Sequence, residues 1–384
     1  MPGAYKVLIF FLIQKTHNLT LLGNIASWQS IAQIIGYFTA IGWSSLILVR
    51  VSKTNSKPES VRIFNQISTM SALTLCACSI AILTIGLLLK KTEDAIQICL
   101  WLSAWTLYQI PRHYLIALRE YRRAIYLDIG VIGCSLLALT APEEDTSALL
   151  AISMLTAGAI TFILIQNGKN TKIPPIKYEF KGIEFGLVNL LSGGISLSLV
   201  PLASYFEGKD FAGTISLFIS ISAIALLIPR AISLNQLPKL TKLIGDPQII
   251  SSQIPILRRQ INLSNIFTTI ICTLIISCMT LSLPNTYSVL ETILVFTLIT
   301  LQNTISTASL LDANLLMAKE RSACLLKINI HTSATYITLT AGLYLTLIDH
   351  AFLYLCFFIT ALNFYRLYKT RSLAKSIYDC HTAI

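Results

Sequence analysis

The sequence predicts an all-α polytopic membrane protein with about twelve transmembrane helices in two six-helix bundles. Three observations predict it. First, the chain is 54% hydrophobic and only 12% charged, with mean hydropathy +0.69, whereas soluble domains carry about 25% charged residues. Second, its apolar runs are about 18–24 residues long, the reach of a membrane-spanning helix. Backbone polar groups inside lipid must be satisfied within the protein, and runs of this length fit helices rather than the roughly ten-residue alternating strands of a barrel. Third, basic residues alternate with the apolar stretches. They cluster after even-numbered segments, as in Arg50, Lys53, Lys57 and Arg62, or Arg112, Arg119, Arg122 and Arg123, while loops after odd-numbered segments hold only Lys15, Lys90, Lys91 and Lys209. Short basic loops stay on the cytoplasmic side, so both termini are expected in the cytoplasm.

Each segment follows from its apolar run. The first, residues 4–22, is short and atypical: residues 7–13 are apolar, and Gln14, Lys15, Thr16, His17 and Asn18 follow. No small-residue cleavage site follows, as a signal peptide would need. The second covers residues 25–49 and the third 71–89. The fourth, 95–118, carries Pro111, Arg112 and His113, and the fifth spans 124–141. An acidic turn, Pro142, Glu143, Glu144 and Asp145, leads into the sixth, 147–166. The stretch NGKNTKIPPIKYEFK has the Gly, Pro and Lys content of a linker. Segments seven to twelve cover residues 183–206, 211–234, 262–283, 287–311, 325–347 and 351–368. The expected organisation is an N-terminal bundle (1–168), a cytoplasmic linker (169–181), a C-terminal bundle (182–368) and a cytoplasmic tail (369–384). Six helices on each side of a cytoplasmic linker are two parallel halves, an arrangement found in transporters with the substrate site between the halves.

Charge and motifs exclude other classes. The net charge of +11 lies in short inter-helix loops, where it sets topology and meets anionic lipid, so no nucleic-acid partner is expected. Eight of the nine cysteines lie in or beside apolar segments and are read as buried small hydrophobes, and Cys380 lies in the basic tail. No metal-binding, nucleophile-elbow or phosphate-loop motif appears, so no enzymatic activity and no cofactor are expected.

Three stretches carry a family likeness. LLGNIASWQSIAQIIGYFTAIGWSSLILVRVSK (residues 21–53) has a Leu-Gly turn, a helix and an Arg just past it. RHYLIALREYRR (112–123) is an Arg-rich joint between helices four and five. Residues 192–240 carry Pro201, Gly208, Gly213 and Pro238 around two helices and a short turn. Over about residues 21–368 this arrangement resembles the multidrug/oligosaccharidyl-lipid/polysaccharide (MOP) flippase superfamily, and within it the O-antigen type polysaccharide flippases. The resemblance implies the MATE-like MOP flippase fold. It also implies a transporter that flips polyprenyl-pyrophosphate-linked oligosaccharide by alternating access, with membrane lipids, the glycan substrate and polysaccharide polymerase and chain-length proteins as partners. The second reading is a MATE-type drug/cation antiporter. A sugar-phosphate carrier of the major facilitator type is third, and the Gly and Asp-Arg signature of that type is absent from residues 50–62. A membrane-embedded polymerase or glycosyltransferase is a different class and needs a large external loop, which is absent.

Candidate residues follow from the substrate. A pyrophosphate head group needs cations along its path, and Arg binds phosphate bidentately while keeping its charge when buried. Arg230, after Pro229 and before its helix has ended, is the first substrate-binding candidate, with Arg50 and Arg112 next. Asn189, Ser192 and Ser196 share one helix face and are candidates for sugar contacts. Asp128, Glu184 and Glu291 are candidates for coupling transport to a proton or sodium gradient. A local pair between Asp128 and Arg122 or Arg123 is the competing reading, and Asp312 and Asn314 are expected to face water.

Overall fold

The computed structural model describes residues 2–52, 54, 56–166, 179–226, 228–229, 232, 247–280, 289–318, 322–346 and 350–379. Their regular structure is helical. The helices are α1 (Pro2–Thr16), α2 (Leu19–Gly36), a π-turn (Tyr37–Ile41), α3 (Gly42–Val51), α4 (Lys57–Leu88), α5 (Thr92–Ala117), α6 (Tyr121–Ala138), α7 (Glu143–Gln166), α8 (Lys181–Phe206) and α9 (Lys209–Ala225). After these come α10 (Pro247–Thr280), α11 (Val289–Ala308), α12 (Leu310–Ala318), α13 (Ser322–Thr346) and α14 (Ala351–Asp379). Among the described residues six stretches are long and apolar enough to cross a membrane: Leu19–Val51, Lys57–Leu88, Glu143–Gln166, Gln253–Ser277, Leu290–Ala313 and Ala351–Lys375. Polar side chains interrupt α5 (Gln109, Arg112), α6 (Asp128, Ser135) and α13 (Asn329, Thr332).

Several segment boundaries differ from the sequence reading: α10 begins at Pro247 rather than at residue 262, and α14 continues to Asp379, past residue 368. The first helix ends at Thr16 rather than near residue 22. Asn18 caps the next helix, its Oδ1 accepting from the Leu21 amide at 2.7 Å, which satisfies one of the four free amides at a helix start. The Asn18 Nδ2 donates to Glu143 at 2.7 Å and ties this end to the start of α7. The third segment begins at Lys57, with Pro58 in its first turn, a position where proline's missing N–H costs nothing.

The described chain forms two compact units, Met1–Ser216 and Leu217–Ile384. The first takes in α8, which falls within residues 182–368 of the sequence organisation. Lipid tails are as apolar as leucine, so helices associate in a bilayer through close packing and hydrogen bonds. The α3–α8 contact depends on that. A Cβ on Gly42 would sit 1.9 Å from the Gly182 carbonyl oxygen, so only glycine allows the two backbones to meet. Beside this seam lies a core of Trp43, Ile47, Phe64, Ile67, Met70 and Tyr114 from α3, α4 and α5. In the second unit, Ile254, Leu257 and Ile261 of α10 pack against Leu311 and Leu315 of α12. Gln302 of α11 donates across to the Cys356 carbonyl of α14 at 3.0 Å. Cys76 and Cys134 are exposed rather than buried, because they lie on outward faces of α4 and α6.

Candidate functional site

The densest buried polar group in the first unit is built by α1, α2, α5 and α6. Pro111 lies inside α5 and removes the hydrogen bond that the Leu107 carbonyl would otherwise receive. Tyr108 and Arg112 are four residues apart and share a face. That face meets Asp128, which is 5% exposed. The Tyr108 hydroxyl donates to Asp128 Oδ1 at 2.5 Å, and Arg112 donates through Nε to Oδ1 at 3.0 Å and through a terminal nitrogen to Oδ2 at 3.3 Å. The guanidinium also lies 6.0 Å from the Tyr108 ring centre, within cation–π reach. The carboxylate thus has a two-point arginine and a phenol, the satisfaction that an intramembrane charge requires.

A second set of groups adjoins it. Lys6 donates to Gln33 Oε1 at 2.8 Å, and the hydroxyls of Tyr5 and Ser135 pair at 3.0 Å. Tyr5, Lys6, Gln29, Trp105, Tyr108 and Asp128 line one small cavity with about 10 Å³ of free space, roughly the room of a single water. Gln29 Oε1, Gln33 Nε2 and Trp105 Nε1 find no hydrogen-bond partner among the described residues. Lys6 lies four residues from the start of α1 and ten from its end. The cluster gathers charged and polar groups inside the first unit, and its lysine meets a neutral amide rather than an acid.

The sequence candidates have varied placements. Arg112 and Asp128 come together. The expected pairing of Asp128 with Arg122 or Arg123 does not occur, because those residues start the same helix and are exposed, while Arg112 reaches the carboxylate across the α5–α6 contact. Arg50 pairs with Glu179 at 2.5 Å. Glu291 pairs with His350 at 2.7 Å. Asn189 donates to the Phe185 carbonyl of its own helix at 2.9 Å, and Ser196 and Glu184 are exposed. Arg230 and the Ser192 side chain lie outside the described residues. Asp312, expected in water, is fully buried, because Arg258 at 2.6 Å and Arg371 at 3.6 Å converge on it from α10 and α14. Lys6, Tyr5, Gln29, Gln33 and Tyr108 were not candidates; the available signal was polar residues recurring at helical spacing inside apolar runs.

Two solved structures share the fold. An inward-facing multidrug resistance MATE family transporter of the MOP superfamily aligns with a TM-score of 0.62 at 11% identity, covering 98% of this chain and 99% of that one. The MATE multidrug transporter DinF-BH, solved as a ligand complex, aligns with a TM-score of 0.58 at 14% identity, covering 98% of this chain and 92% of that one. No protein-family profile and no curated protein matches the sequence. The chain is a multi-pass membrane protein with the fold of the MATE transporters of the MOP superfamily.

Proposed function

We propose that this chain is a carrier that flips a lipid-linked oligosaccharide across the bacterial inner membrane by alternating access. The observation that carries the reading is the charge balance of the interior. Among the described residues the two buried carboxylates, Asp128 and Asp312, each face arginine, whereas Lys6 faces only the amide oxygen of Gln33. The first unit's polar cluster therefore holds one positive charge more than it has acid to match. A phosphate-bearing head group supplies the missing negative charge, and a cationic drug does not. The unpartnered amide groups of Gln29 and Gln33 offer an acceptor and a donor of the kind sugar hydroxyls use. Asp128 is the coupling group in this scheme: a proton on its carboxylate weakens the hold on Arg112, so gradient-driven protonation changes the charge the cavity presents. Membrane lipids, the lipid-linked glycan and the polymerase and chain-length proteins of a polysaccharide pathway are the partners this function needs.

The fold likeness to two multidrug transporters favours a second reading, a drug/cation antiporter. Lys6 separates the two. In cells lacking the natural protein, Lys6→Gln is expected to abolish surface-glycan export at unchanged membrane abundance, with Lys6→Arg retaining it. Under the antiporter reading glycan export is indifferent to Lys6, and Lys6→Gln raises efflux of a cationic dye by removing a repelling charge. The second pattern would discard the flippase.

A further inference from the structure

On the first unit, α6 and α7, with Leu115 of α5, line an open groove of about 1070 Å³, counted out to its open side. Large apolar side chains such as Tyr126, Leu127 and Ile160 alternate there with Gly130 and Cys134. A Cβ on Gly130 would meet no atom within 4 Å. Cys134, one turn further along, is exposed. Ala157, Thr161 and Leu164 form the facing wall on α7, and Arg123 closes one end. The Thr161 hydroxyl donates to the Ala157 carbonyl of its own helix at 2.9 Å, so it presents a methyl group and no spare donor. The groove is thus an apolar channel with a cation at one mouth.

We propose that this groove holds one acyl chain of an anionic glycerophospholipid from the leaflet on the Arg123 side, with its phosphate on Arg123. Length, charge and shape support that occupant. Arg123 to Cys134 is eleven residues of α6, about 16 Å, against about 15 Å for half the hydrocarbon core. That matches one leaflet and is too short for a polyprenyl tail. At the mouth, Arg119, Arg122 and Arg123 are exposed against Glu120 alone, which pairs with Arg123 at 2.8 Å. An arginine has five donors, so Arg123 keeps others for a phosphate. This end is the cytoplasmic one by the positive-inside rule, where anionic lipid is concentrated. Ordinary lipid-facing helix surface is convex; here open space lies over Gly130 within a groove, room that an extended acyl chain can fill. The site stands whichever substrate the carrier moves.

The full-length protein is released from bilayers of mixed phosphatidylethanolamine and phosphatidylglycerol and weighed by native mass spectrometry. The expected result is one retained phosphatidylglycerol, preferred about fivefold, the contribution of a single basic residue near an anionic surface. Arg123→Gln is expected to erase the preference while a lipid is still retained, and Gly130→Leu to remove retention. If Gly130→Leu does not fold, Arg123→Gln decides alone, since it leaves the groove intact. Equal retention of both lipids by the natural protein, an undiminished preference in Arg123→Gln, or displacement of phosphatidylglycerol by undecaprenyl phosphate would each overturn the assignment.

Discussion

Among the described residues each unit buries one aspartate, and the two are held in different ways. Asp128 lies along the body of α6, with Arg112 bidentate and Tyr108 beside it, both from α5. Its arginine is 16% exposed. Asp312 lies in the short helix α12 near the basic end of its unit, clasped by Arg258 and Arg371, which are 33% and 44% exposed. The cost of a buried charge depends on how far its partner is from water. Asp312 therefore acts as a clasp between α10 and α14, whose arginines reach solvent when released. Asp128 and Arg112 are further from water, and Asp128 borders the cavity that Lys6 also lines. A charge pair with little exit to water is the one whose loss the whole unit must feel.

The largest expected effect tests that difference directly. Asp128→Ala strands Arg112 inside the first unit and should cost about 3–5 kcal/mol, the usual result of removing one member of a buried pair. Adding Arg112→Met should recover most of the loss, since an apolar pair of similar volume suits this environment. Thermal unfolding in detergent measures both. If the single variant unfolds like the natural protein, Asp128 is solvated and the contrast with Asp312 disappears.

Asp312→Asn should cost less, about 1–3 kcal/mol, the penalty of losing charge-assisted hydrogen bonds while both arginines turn to water. Arg371→Gln should cost under about 1 kcal/mol, because the exposed guanidinium is held at 3.6 Å. The same unfolding assay ranks the variants. A larger loss for Asp312→Asn than for Asp128→Ala would reverse the proposed order of the two sites.

Much of the fold was legible because the bilayer imposes it. Apolar run length and alternating basic loops anticipate where helices begin and end to within a turn or two at most positions, as with α6, α7 and α8. The exceptions have local causes. Asn18 caps a new helix where hydropathy alone runs on, and α4 starts fourteen residues before residue 71 of the apolar run because Ser60, Phe64 and Ile67 are buried against its neighbours rather than facing lipid. The site was less legible. Arg112 and Asp128 each stood out as charges in apolar surroundings, but their meeting depends on how α5 packs on α6, which no spacing in the chain encodes. Asp312 looked solvent-facing because it follows an apolar segment; its arginines come from residues 54 and 59 positions away. Lys6 was passed over because its apolar run is short, and its meeting with Gln33 depends on how α1 packs on α2, which no spacing in the chain encodes.

The smallest effect concerns Arg50. Its Glu179 partner is 31% exposed and Arg50 itself 28%, so solvent screens the pair far more than Asp128–Arg112. A double-mutant cycle of Arg50→Gln and Glu179→Gln should give a coupling of about 0.2–1 kcal/mol, falling further in high salt. Close backbone packing at Gly42 and Gly182 already holds α3 to α8, so the ion pair has little left to stabilise there. Gly42→Ala should therefore exceed either charge variant, because its methyl group has nowhere to go between the two backbones. A coupling above about 2 kcal/mol in that cycle, well beyond the range of exposed pairs, or a silent Gly42→Ala, would make charge rather than close packing the bond between these helices, and would put Arg50 beside Arg112 as a buried, functionally weighted cation.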